Sequence, residues 1–462
     1  MLKLPLLAGA AAFAALPLSV SAQDHGGHDP HVDHQETEPP SPPPAEPEGS
    51  DDIFIMHHPP RPPMTMQPVT VVGDAHGSHG ARADVPGEGS GTARLPANEG
   101  GHSGFHIDGG DDWMLMAHGF AWGVYSDQSG PRGDDKAYIQ SMLMLSGEKT
   151  TDWGRIQFKS MMSLEPLMSN RGYPNLFATG ETAGGEPLVD RQHPHDLFME
   201  LTARIDVDVG ANGERLFLYG GPVGEPAIGP SAFMHRGSAR YNPEAPITHH
   251  WFDSTHITYG VATAGFQNRQ FQLEGSVFTG REPDERRWNI EKPRFDSWSV
   301  RGTWTPSPAW ALQVSHARLK EPEAQHAGEN EHRTTASVQF ANGHGLSATA
   351  AFSAKNRDPG DTLTAWLAEV NWDLDDHHTL FGRIENVKND ELFIDHHDPL
   401  HDVPFRVTKF QAGYAYRVPL AGPLNLAFGG TLAGFDKPRL LDTAYGKSPI
   451  GATVFARLSI GH

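Results

Sequence analysis

The sequence predicts an all-β protein: a transmembrane antiparallel β-barrel of about 16 strands, preceded by a disordered His/Pro-rich tail. Three observations predict it. Strand-length segments alternate apolar and charged residues, the links between them are alternately short and long, and the only long apolar run stands at the N-terminus. The stretch Leu363–Lys388 shows the first most fully. Trp366, Ala368, Val370 and Trp372 alternate with Leu367, Glu369, Asn371 and Asp373, and on a second arm Leu380, Gly382 and Ile384 alternate with Phe381, Arg383 and Glu385. A period of two puts each set on its own face of a strand. A soluble sandwich would bury the apolar face. A membrane barrel turns it to lipid, between aromatic girdles, and turns the charged face to a wet lumen.

The apolar run opens the chain. Lys3 precedes the apolar stretch Leu4–Val20, and Val20-Ser21-Ala22 is a small-residue cleavage pattern before Gln23. Residues 1–22 therefore read as a signal peptide, and the mature chain as exported. No later segment has 18 consecutive apolar residues, which leaves a barrel as the only way to span a membrane.

Residues 23–107 form the tail, rich in Pro, Gly, His, Asp and Glu and poor in groups that build a core. Ten of the 27 His fall before Asp108. DHGGHDPHVDH carries His25, His28, His31 and His34, and MHHPPRPPMTM carries Met56, His57, His58, Met64 and Met66. Imidazole with thioether suits copper, and imidazole suits zinc or nickel. The alternative is a solvated tether that binds nothing in particular.

Residues 108–462 form the barrel. Its strand-like segments fall at roughly 113–124, 137–146, 153–165, 196–209, 214–221, 256–266, 270–281, 296–305, 309–319, 333–341, 346–354, 364–374, 378–388, 406–417, 423–434 and 451–460. Lengths near ten suit tilted strands crossing an apolar band of roughly 25 Å. In one, Leu197, Met199, Leu201, Ala203, Ile205, Val207 and Val209 share a face; in another, Trp298, Val300, Gly302 and Trp304 do. Because a charge facing mid-bilayer costs about 2–4 kcal/mol, Arg155, Lys159, Arg204, Glu274, Arg301, Glu369, Arg383 and Arg457 must point inward. Links such as Gly210–Gly213 and Asn342–Gly345 are short and rich in turn formers; every other link is long, above all Pro166–His195 and Pro222–Thr255. This is the porin-like plan of tight periplasmic turns and long external loops, with both ends of the domain in the periplasm. The last segment presents Val454, Ala456, Leu458 and Ile460 on one face, as C-terminal strands of such barrels do.

Composition narrows the chemistry. The chain has no Cys, so disulfides and thiolate metal sites are excluded, and its net charge of -21 argues against nucleic acid. The two longest loops carry His193 and His195, with Asp196, and Met234, His235, His249, His250 and His256, with Asp253. If both fold to one mouth, these histidines can meet around a borderline metal, copper or zinc; otherwise they stiffen polar loops that constrict the pore. Asp395-His396-His397-Asp398, with His401 and Asp402, reads as a weak metal cluster or a solvated acidic loop. No nucleophile elbow, P-loop or dinucleotide fingerprint is present, and nothing orients His256 toward Ser254, so the chain reads as no enzyme, with no catalytic residues and no certain cofactor.

The succession HPHD, AFMHR, HHWFDSTHIT and FTGREPDERRW, within Val189–Trp304, resembles a group of uncharacterised proteobacterial outer-membrane β-barrel proteins. The resemblance implies a barrel and an association with heavy-metal resistance. A His/Met-rich exported tail before a barrel is also similar in layout to the copper-resistance protein B family. Together these make the expected function passage or binding of a small solute or metal ion in copper-like homeostasis. The alternative is a surface or structural barrel with a loop-plugged lumen. The expected location is the Gram-negative outer membrane, with the tail in the periplasm. The expected partners are membrane lipid, a periplasmic metal-handling protein and further copies of the chain in a homotrimer.

Overall fold

The computed structural model describes residues 86–99, 104–110, 112–211 and 213–461. Among these, sixteen long strands close into one antiparallel barrel. They are β1 (Trp113–Gln128), β2 (Asp135–Thr151), β3 (Gly154–Met162), β4 (Phe198–Asp208), β5 (Arg215–Gly224), β6 (Thr258–Gln267), β7 (Phe271–Phe278) and β8 (Ser297–Ser307). They continue as β9 (Trp310–Leu319), β10 (Asn330–Ala341), β11 (Leu346–Asp358), β12 (Thr362–Asp373), β13 (His378–Asn389), β14 (Phe405–Pro419), β15 (Leu424–Asp436) and β16 (Ile450–Ile460). Each pairs with its neighbour in sequence, and β16 returns to β1 with Gly451 opposite Gln128 and Ile460 opposite Gly119. Closure removes the free edges that a sheet would otherwise expose. A short strand, Phe105–Gly110, pairs with the first residues of β1 and continues the β16 seam beyond Ile460.

The expected segments all form, with ends moved by a few residues. β11 and β12 run longer than expected, so the long link expected between them is only residues 359–361, and the short–long alternation fails there. No helix among the described residues is long and apolar enough to cross a membrane.

Alternation sorts the side chains. Trp298, Val300, Trp304, Trp366, Val370 and Trp372 are exposed on the outer face, whereas Arg301, Glu369, Arg383 and Arg457 are buried inside. On β8 and on β12 two tryptophans six residues apart stand about 20 Å apart along the strand, the spacing of two interfacial girdles. One expectation is corrected. Met199 does not share the outer face with Leu201 and Ile205; a bulge against β3, between Phe198 and Glu200, turns it inward, where it is fully buried. One extra residue in a strand shifts every side chain before it to the other face.

The inside is packed protein over much of its section. Residues 225–257, between β5 and β6, cross the lumen and bond to wall residues far around the barrel. Ala227 N–H donates to Ser276 (2.9 Å), Gly229 N–H to Ser315 (2.9 Å), and Arg236 to Glu369 (2.6 Å). Glu244 accepts from Lys409 (2.8 Å) and Thr453 (2.6 Å), and Thr248 donates to Glu385 (2.9 Å). A second insertion comes from residues 86–99, which the sequence assigned to the tail. Gly87–Glu88 and Arg94–Leu95 form a small hairpin. Glu88 accepts from Arg155 (2.6 Å), Thr92 bonds Glu274, Arg94 donates to Asn268 O (2.8 Å), and Ser90 N–H donates to Ser231 (2.8 Å). Wall charges that would have needed water are thus met by loop and hairpin.

Candidate metal centre inside the barrel

Where the crossing loop turns back to the wall, it forms a four-residue helix, His249–Phe252, and a single 3-10 turn, Ser254–His256. Asp253 joins them. Its Oδ1 accepts from His249 Nδ1 (2.8 Å), its backbone oxygen accepts from His256 Nδ1 (2.7 Å), and its Oδ2 accepts from Phe233 N–H (2.9 Å) and Arg236 (3.1 Å). One aspartate therefore fixes two imidazoles and the 3-10 turn Phe233–His235 with Arg236 after it.

The loop between β3 and β4 brings the others. His195 presents both its backbone N–H (3.0 Å) and its Nδ1 (2.9 Å) to Glu165, and His193 Nδ1 faces the Pro194 oxygen at 3.1 Å. His250 Nδ1 faces Glu282 at 3.2 Å. The five rings pack edge to face: His195 to His256 at 5.3 Å, His249 to His256 at 5.1 Å, His249 to His250 at 5.3 Å and His193 to His250 at 6.3 Å. All five are buried.

The ring nitrogens have a common arrangement. In each ring Nδ1 faces an oxygen; in the neutral form of His195, His249, His250 and His256 this favours the proton on Nδ1 and the lone pair on Nε2, whereas in His193 oxygens face both nitrogens. The Nε2 atoms of His195 and His256 are buried with no hydrogen-bond partner, and that of His193 has only the Glu181 carboxylate, 3.1 Å away. Ligand atoms of His193, His249 and His250 lie within 4.8 Å of one another, as do those of Glu181, His250 and Glu282. A third group, Glu323, His326 and Glu391, meets the same limit.

Burial holds His193, His249 and His256 below the ordinary histidine range, helped in His193 by Arg287 and in His256 by its imidazole neighbours. These three are neutral at neutral pH. Burial acts the same way on His250, but Glu282, Glu181 and Glu323 outweigh it and push its pKa up to about 9. Burial also opposes a charge on His195, and Glu165 reverses this and raises it. Burial raises Glu181, against the pull of Arg287. The centre opens toward a cavity of about 900 Å³ among the long loops, with Glu181, Glu282, Glu285, Glu391 and His326 in its walls. Glu181 and Glu282 belong to both, facing His193 and His250 from the cavity wall.

The two long loops thus bring together His193, His195, His249, His250 and His256. Met234 instead packs against a cluster containing Met142, Met144, Met161 and Met199, and His235 lines a small cavity that His195 also borders. His396 and His401 bond each other at 2.7 Å and line the same 900 Å³ cavity, outside the five-ring cluster. His25, His28, His31, His34, Met56, His57, His58, Met64 and Met66 lie outside the described residues. Ser254 Oγ accepts from Arg333 (3.0 Å) and has no bond to His256, so the two form no nucleophile–base pair. Sequence reasoning missed Glu165, Glu181 and Glu282, the carboxylates that orient or face the rings.

No protein-family model matches the chain, and no curated protein matches it. Among solved structures it is similar to OmpF of Salmonella typhi, solved in complex with daunomycin, with a TM-score of 0.51 and 10% identity over 77% of this chain and 100% of that one. It also aligns with the anion-selective porin from Comamonas acidovorans (TM-score 0.45, 11% identity, 75% of this chain and 100% of that one). OprB of Pseudomonas putida aligns with a TM-score of 0.46 at 10% identity, over 75% of this chain and 94% of that one. At such identities the likeness is one of fold: a porin-like, sixteen-stranded barrel.

Proposed function

We propose that this chain is an outer-membrane barrel that admits a small cation at its long-loop mouth and holds it, as a borderline metal ion, on the histidines inside the lumen. The observation that carries the reading is the ring arrangement: five buried imidazoles, each with Nδ1 facing an oxygen. Ligating histidines in metal sites are fixed in this way, their second nitrogen tied to a carboxylate or carbonyl. With no thiolate in the chain, copper(II) binds ahead of nickel and zinc by the Irving–Williams order. The resemblance to barrels associated with heavy-metal resistance supports a role in copper-like homeostasis. The same reading places the short turns and the tail in the periplasm, with a metal-handling partner there and a homotrimeric assembly.

The test is calorimetric titration of the refolded full-length protein with Cu(II) and Zn(II). The expected result is one site per chain that survives deletion of residues 24–66 and weakens at least tenfold in His249→Ala. A site that disappears with the deletion and ignores His249 would move metal binding to the tail.

A second reading, a non-transporting barrel with a plugged lumen, is favoured by the two insertions that cross it. Conductance in planar bilayers separates the two: steady channels support passage, and their absence supports the sealed barrel.

A further inference from the structure

One buried cation on the barrel wall has no salt-bridge partner among the described residues. Arg457, on β16, is 5% exposed, and its Nη1 donates to Ser459 Oγ at 3.0 Å. Its Nε is buried without a partner. Every other buried lysine or arginine among the described residues lies in a salt bridge, as Arg301 does with Glu274 and Arg383 with Glu369. Three rings surround the Arg457 guanidinium instead: Phe120 at 5.7 Å, Trp122 at 5.4 Å and Tyr241 at 5.4 Å. Ring faces attract a cation, but more weakly than a carboxylate in the same dry setting. In a chain with 57 Asp and Glu, the missing carboxylate is not for want of supply.

Arg457 borders a cavity of about 90 Å³ inside the barrel. Arg240 shares the wall, and the one carboxylate in ion-pair range among the described residues, Asp373, is 3.8 Å away. Opposite in character are Met142, Met199 and Met234. The wall carboxylates Glu99 and Glu165 are engaged elsewhere, Glu99 by the Gly237 N–H and Glu165 by His195. The volume is that of about three waters, which suits a ligand of a few heavy atoms.

The geometry points to a small organic carboxylate as the partner of Arg457, its charged end on Arg457 and Arg240 and its alkyl part against the methionine wall. The site adjoins the histidine centre, with His195 and Glu165 in the wall they share, and the proposal needs no metal on those rings. Ligand-observed NMR and calorimetry with butyrate, on the full-length protein in detergent at fixed ionic strength, test it, with inorganic phosphate as the comparison. The expected result is saturable butyrate binding at one site per chain, at least tenfold weaker in Arg457→Gln, less weakened in Arg457→Lys, and with Cu(II) binding unchanged. Met142→Phe, which fills the cavity and leaves the arginine, should abolish it if Arg457→Gln fails to fold. No saturable binding, or equal binding in Arg457→Gln or Met142→Phe, would overturn the proposal and leave Arg457 as an arginine held by aromatic faces alone. Binding of phosphate without butyrate would overturn the carboxylate class.

Discussion

His250 carries the opposite charge state from its neighbours, and the difference sets how the centre responds to pH. Its folded pKa, about 9, lies above that of a free imidazole, so near neutrality it holds a proton that His249 and His256 do not. A metal taking its lone pair must displace that proton. Binding at neutral pH should therefore release about one proton per ion and strengthen as pH rises toward 9, then level off. Calorimetry in two buffers of different protonation enthalpy measures the number directly; no buffer dependence would remove His250 from the ligand set. At this scale the histidines were legible because loop imidazoles are rare. Their carboxylate partners were not, because one more Glu in an acidic chain carries no signal. Arg457 was legible as an inward charge, but its lack of a partner belongs to three dimensions.

Among the elements, the strands were legible almost throughout, because a two-residue period with lipid on one side leaves a register little freedom. Two misplacements have local causes. The bulge at Met199 adds a residue that periodicity cannot count, and residues 86–99 have too few apolar groups to announce a fold that the barrel wall supplies. Adjacent positions on β8 test the two faces. Val300→Arg should cost about 2–4 kcal/mol by placing a charge in lipid. Arg301→Gln should also be costly, about 3–5 kcal/mol, because it strands Glu274 in a dry interior. Urea unfolding from lipid vesicles reads both. A neutral Arg301→Gln would mean that water reaches the inside of β8.

For the whole molecule, the question is how much of the lumen is closed and by what. The crossing loop 225–257 is bonded to the wall from β7 to β16, while residues 86–99 hold through a smaller set of polar contacts. Deleting residues 86–99 should leave an inserted barrel whose single-channel conductance is higher than that of the full chain. Equal conductance would show that the loop alone sets the opening. The closed, porin-like whole was legible from link lengths and strand count. The occupied interior was not, since nothing in a loop's composition tells whether it lies over a barrel or inside it.

The hairpin at residues 86–99 is also a mechanical part. It stands in series between the N-terminal residues and the first strand, so tension on those residues loads its few bonds before any rung of the barrel. The barrel has no free edge to peel, and the hairpin has nothing but edges. Pulled from the N-terminus, it should come out first, releasing about 70 Å of chain between Pro86 and Phe105 before the wall yields.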